Sequence, residues 1–187
     1  MQLLVRVKNM LVSPKTEWLV IAGESSDIKT VYLHYVMILA AIPPLCRFLA
    51  TTLFFRNFGI NPAIGLEAAL LRYLVSLATV YVVALIASKL APIFAGRDDM
   101  AQAVKLIAYS ATAAWLGGIF LLLPIFVVLT AVMALYSLYL LYVGVAPIMH
   151  VPPERVVPYT VAMIMAVIVV LFVMSLVFLA LGGPILM

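Results

Sequence analysis

The chain has 187 residues and a net charge of +4, with 67% hydrophobic and only 10% charged residues. Soluble domains run at roughly 45–50% apolar and about 25% charged, so a water-solvated globular fold is excluded and the solvent must be a bilayer. Positive charge that would point to nucleic acid in a soluble protein here reports orientation across a membrane, and no nucleic-acid partner is expected.

The first twenty residues, MQLLVRVKNMLVSPKTEWLV, lack an uninterrupted apolar core and a small-residue cleavage site, so no removable signal peptide is expected. Residues 2–12 intersperse apolar positions with Arg6 and Lys8 before Ser13-Pro14 breaks the pattern. They read as an amphipathic helix lying in the interface of an anionic leaflet, or as a short segment packed on the bundle. Trp18 suits an interfacial anchor, and residues 1–29 form a cytoplasmic or interfacial segment. Five stretches then suffice to cross about 30 Å of hydrocarbon at 1.5 Å per residue. They lie near 30–55, 66–90, 102–122, 124–145 and 156–182 of a single membrane domain, 1–187. The expected fold is an all-α integral membrane protein, a bundle of five transmembrane helices.

Local signals punctuate these spans. In the first, Pro43-Pro44 cannot donate to the carbonyls of Leu39 and Ala40, which predicts a kink with freed acceptors. His34, one turn past Thr30, reads as a buried, hydrogen-bonded histidine. Asn61-Pro62 starts the second span, and Gly117-Gly118 with Pro124 mark a tight turn between the third and fourth. Tyr136, Tyr139 and Tyr142 form a packing stripe or an aromatic belt. The lone cysteine, Cys46, excludes a disulfide framework and a thiol metal site. Met149-His150 and Met163-Ile-Met165 lack the further ligands a soft-metal site needs, so neither metal nor cofactor is expected.

Charge orients the bundle. With the N-terminus inside, Arg6, Lys8, Lys15, Lys29, Lys89, Arg97, Lys105 and Arg155 fall on the cytoplasmic side, and Arg47, Arg56 and Arg72 fall toward the other. That asymmetry predicts an N-in, C-out topology.

The two cytoplasmic connections resemble each other. Ala91-Pro-Ile and Ala146-Pro-Ile are each followed by acid, then by a base four residues before Tyr-Ser or Tyr-Thr. The match is degenerate, since the lengths differ by five residues. As a real repeat it would make spans two–three and four–five related hairpins, an arrangement some transporters use. Positions i and i+4 share a helix face, so Lys105 stands over Tyr109 and Arg155 over Tyr159. At the inner interface such pairs anchor the helices, cation among headgroups and phenol at the membrane edge. The alternative is a polar cluster facing the bundle interior, joined by Asp98, Asp99, His150 and Glu154. These eight residues are the candidate cytoplasmic contact surface.

Charges within spans are the default place to look for function. Arg47 follows the proline pair, and Arg72 lies about two turns into the second span near Glu67. Arg47, Glu67 and Arg72 form a candidate cluster for an anion or lipid headgroup, against simple snorkelling to the outer interface.

The run YLLYVGVAPIMHVPPERVVPYT at 139–160 resembles the signature of the YIP family, the Ypt/Rab-interacting membrane proteins with five spans. VRVKNMLVSPKTEW and DDMAQAVKLIAYS are similar to the short, bacterial-type members. The resemblance implies a cytosolic N-terminus, a five-helix bundle and an inner (plasma) membrane location. Eukaryotic relatives act in vesicle traffic through small GTPases. This chain lacks their long N-terminal region with its Asp-Leu-Tyr-Gly-Pro-type motif, which argues against a GTPase partner here.

No HExxH, GxSxG or phosphate loop is present, and no span holds an aspartate pair. The expected function is therefore non-enzymatic: a scaffold that organises the bilayer or docks other membrane proteins, or a second copy of itself. The alternative is a small transporter or channel using the intramembrane arginines.

Overall fold

A computed structural model describes residues 3–25, 27–54 and 62–182. Arg56, Asn61 and the tail beyond Gly182 lie outside the described residues. Within these, the α-helices in chain order are α1 (Leu3–Val12), α2 (Pro14–Gly23), α3 (Ile28–Val31), α4 (Met37–Leu39), α5 (Ile42–Phe54), α6 (Pro62–Leu90), α7 (Met100–Ser110), α8 (Thr112–Gly117), α9 (Val127–Met149) and α10 (Pro153–Ala180). Five stretches are long and apolar enough to cross a membrane: Ile28–Leu53, Gly65–Phe94, Met100–Leu122, Val127–Met149 and Pro153–Ala180. No strand occurs among the described residues, and the molecule is an all-α five-helix bundle.

The third span is the hub. Of its most apolar stretch 67% is buried, against at most 28% for any other span. Outward positions such as Leu135, Ile168 and Phe172 are exposed, which is the apolar coat a bilayer requires.

The N-terminal segment departs from the interfacial expectation. Helices α1 and α2 form a hairpin broken at Ser13, where Pro14 takes the first helical position of α2. The hairpin packs on the bundle: Met10, Trp18 and Ile21 are fully buried. The Leu11 carbonyl accepts from the Tyr136 hydroxyl at 2.8 Å, Trp18 Nε1 donates to the Leu140 carbonyl at 3.1 Å, and the Glu24 carbonyl accepts from Lys105 Nζ. Helix α2 therefore runs beside α9 in the same direction. Its start lies level with Tyr136, roughly 20 Å along the helix from Met149. Trp18 is not an interfacial anchor, because a buried indole with its N–H bonded inside the bundle has nothing left for headgroups.

Breaks in the spans are answered by aromatic hydroxyls. Span one stops at Leu39, turns through Ala40-Ala41 and restarts at Ile42, placing Pro43 and Pro44 in the first turn of α5, where missing N–H groups cost least. The expected kink is thus a full break, preceded by a π-helical turn at Tyr32–Val36 that the sequence did not signal. Helix ends leave four carbonyls unsatisfied. Near this end the Met37 carbonyl accepts from the Tyr73 hydroxyl at 2.9 Å. At the end of α6, Ala87 accepts from Tyr159 at 2.8 Å, as Leu11 at the end of α1 accepts from Tyr136. Neighbouring helices thereby restore what each break exposes.

Two glycines serve close packing. The turn after span three lies beyond Gly118, through short 3-10 turns at Gly118–Leu122 and Pro124–Phe126. A Cβ on Gly118 would lie 2.7 Å from Pro43, so this glycine serves the packing of span three against the broken first span. Helix α9 runs on through Gly144 and Pro147 to Met149, past the expected end of the span near 145. Gly144 is a contact glycine, and a Cβ there would lie 2.6 Å from the indole of Trp18.

Candidate functional site

The two corners meet at one end of the bundle. Ala91-Pro92-Ile93-Phe94 forms a 3-10 turn closed by Ala95 at φ 58°. Ala146-Pro147-Ile148-Met149 closes α9, ended by His150 at φ 56°. In each corner the left-handed residue stands four places after the alanine, so the sequence echo corresponds to a shared backbone device. The corners are joined: the Arg97 N–H donates to the Met149 carbonyl at 2.9 Å.

The eight candidate contact residues divide between interior and surface. Lys105 is 1% exposed and its ammonium meets the Glu24 carbonyl, so it does not reach headgroups as the i, i+4 pairing with Tyr109 predicts. Tyr109, also buried, has the Arg6 guanidinium 5.6 Å from its ring centre instead. Its ring meets Tyr35 edge-on at 4.6 Å between centroids, and the Tyr35 hydroxyl bonds Thr112 at 2.7 Å. Tyr159 is fully buried against Phe94, and its phenol is held by Ala87 rather than the membrane edge. Arg155 is exposed.

Two acids have structural duties. Asp99 caps α7 by accepting from the N–H groups of Ala101 and Gln102 at 2.9 and 3.1 Å. Asp98 accepts from Lys89 at 2.7 Å and from Ser88. Those two bonds, with the lysine's charge, hold its carboxyl below the usual carboxylate range. His150, Glu154 and Arg155 are exposed, and Arg97 joins them from the other corner.

Sequence reasoning missed the chief ion cluster. Arg6 is 4% exposed and donates to Glu17 at 2.6 Å and to Glu24, while Asn9 donates to Glu17 at 3.0 Å. Burial works against the guanidinium charge, but the hydrogen bond and attraction of Glu24, with the field of Glu17, leave its pKa raised. A pattern of Arg6 and Asn9 facing Glu17 and Glu24 across a Ser-Pro break was the available signal. Beside it opens a cavity of about 680 Å³ lined by Arg6, Glu24, Thr30, His34, Tyr35 and Tyr109. His34 lies on that wall, exposed, with Nδ1 3.3 Å from the Thr30 carbonyl, so it is hydrogen-bonded but not buried.

At the other end, the structure brings Arg47 and Arg72 to one hollow of about 480 Å³ and leaves Glu67 out of it. Glu67 is exposed. Arg72 turns toward α10, its guanidinium 4.7 Å from the centre of the Phe178 ring, a cation–π contact. Arg47 comes from α5 and Arg72 from α6, so the charge pair is tertiary. Among the described residues no group of three or more His, Cys, Asp or Glu side chains is placed to hold a metal ion. Cys46 is half-buried and free.

Comparison with known proteins agrees with this architecture. The Yip1 domain model matches residues 8–182. The chain is similar to the "Inner membrane protein YohC" of Escherichia coli strain K12, 33% identical over 151 residues that cover 76% of this chain and 77% of the relative. It is equally similar to the protein of the same description from Escherichia coli O6:H1. No solved structure matches. With the family model spanning nearly the whole chain, the protein belongs to the Yip1 domain family, as a five-span integral protein of the inner membrane.

Proposed function

We propose that the chain is a non-enzymatic scaffold that docks membrane partners on the end of the bundle where the two corners meet. The observation that carries this reading is the backbone bond from Arg97 to the Met149 carbonyl. It ties together two loops whose exposed side chains are Arg97, His150, Glu154 and Arg155. A platform already fixed loses little conformational freedom when a partner binds, and mixed charges give specificity more than raw affinity. Tyr159 and Lys105 support the platform from within and do not contact the partner.

The test is site-specific photo-crosslinking in membranes, with the crosslinker at His150. Discrete adducts are expected, and Glu154→Ala with Arg155→Ala should reduce them while Arg47→Ala leaves them intact. Equal loss with Arg47→Ala, or no adduct at all, rejects docking at this face.

A second reading, transport of a small anion, draws support from the hollow at Arg47 and Arg72. It predicts an anion flux in reconstituted vesicles that Arg47→Ala abolishes.

A further inference from the structure

The hollow that holds Arg47 and Arg72 does not end at its hydroxyls. Ser76, Thr79 and Leu171 on its wall also line a second, apolar chamber of about 330 Å³. The two share that wall and adjoin across it, among α5, α6, α7, α8, α9 and α10. Along α6 the lining reads Arg72, Val75, Ser76, Thr79, Val80 and Val83, spacings of three, one, three, one and three that keep one helix face.

Polarity falls in steps along that face. Arg47 and Arg72 stand at the mouth with Ser175. Ser76 and Thr79 follow; their hydroxyls donate to Tyr73 and Val75 carbonyls at 2.7 Å and keep lone pairs to offer. Beyond them the wall is Val80, Val83, Ile107, Trp115, Leu138 and Leu141.

We propose that this groove is a binding site for an anionic phospholipid. Its phosphate sits at Arg47 and Arg72, and one acyl chain lies in the chamber walled by Trp115, Leu138 and Leu141. Cation and hydrocarbon stand side by side, as a phospholipid presents its phosphate and its chain. A free inorganic anion matches only the first of these. The chamber lies within the range of ligand sites, mostly apolar with a few placed polar groups, and guanidinium groups are suited to phosphate. The site is independent of the corner platform and stands or falls separately.

Trp115 on the chamber wall supplies the probe, and the other tryptophan, Trp18, lines neither hollow and gives a constant background. The full chain is reconstituted in zwitterionic bilayers doped with phosphatidylglycerol whose acyl chains are brominated. Quenching of Trp115 is expected to be several-fold greater than with the same fraction of brominated phosphatidylcholine. Arg47→Gln with Arg72→Gln should bring it down to the phosphatidylcholine level. Ala134→Phe, which fills the chamber without touching either arginine, should abolish quenching by both lipids. If the double variant does not fold, Arg47→Gln alone, at an exposed position, must lower the preference. Equal quenching by the two lipids in the parent, or an unchanged preference in the arginine variants, overturns the proposal. Loss of the preference in excess inorganic phosphate also overturns it, by making the groove a site for a free anion.

Discussion

The indole of Trp18 occupies the space where a side chain on Gly144 would stand. Its Cε2 and Cζ2 lie 2.6 Å from the position of a Cβ there, and its N–H reaches the Leu140 carbonyl one turn earlier on the same helix. Gly144→Val should therefore push α2 off α9. The overpacking cost is about 1–3 kcal/mol, read as a lowered unfolding midpoint in detergent. Trp18 emission should move to longer wavelength as the indole becomes exposed; an unshifted spectrum would argue against the contact.

Arg6 is held by Glu17 and Glu24 in a buried setting, and removing it leaves Glu17, itself 4% exposed, without its cation. Breaking a buried pair costs about 3–5 kcal/mol, whereas replacing both partners by apolar groups is often nearly neutral. Arg6→Met should destabilise strongly, and adding Glu17→Leu should recover most of the loss. Thermal unfolding of the single and double variants measures this. If the double variant is the less stable, Arg6 and Glu17 do not act as a pair.

Asp98 gives a pH dependence of definite sign. Its folded-state pKa lies below the ordinary 3.8, through the bonds from Lys89 and Ser88. The stability it contributes is present above the unfolded value and is lost as pH falls through the folded one. Asp98→Asn should lower stability near neutrality by a small amount, since the group is exposed and screened. It should also flatten the decline below about pH 4 that the parent shows. Parallel acid declines in parent and variant would remove Asp98 from the account.

The bundle was legible because bilayer thickness imposes span length on composition. The proline breaks were legible for the same kind of reason, since Pro43-Pro44 and Pro14 act locally. What answers each break was not. Nothing near Tyr136 indicates that it serves Leu11, and nothing near Tyr159 indicates Ala87, because those bonds span 125 and 72 residues. Lys105 misled by the same route. Its spacing to Tyr109 is right for a surface pair, but the returning end of α2 covers that face and claims the ammonium. Arg47 and Arg72 were found because charge inside a span is conspicuous. The apolar chamber beside them was not, being built of valine, alanine and leucine that look like every other span.

The hairpin of α1 and α2 also sets an order of assembly. Trp18 precedes its acceptor Leu140 by 122 residues, which at roughly 5–20 residues per second is about 6–24 s of synthesis. Until the fourth span has been made, the Trp18 indole and the Leu11 carbonyl have no partner in the bundle. Helices α1 and α2 are consequently made well before they can be seated, and the hairpin acts as a latch that closes only on a nearly finished bundle.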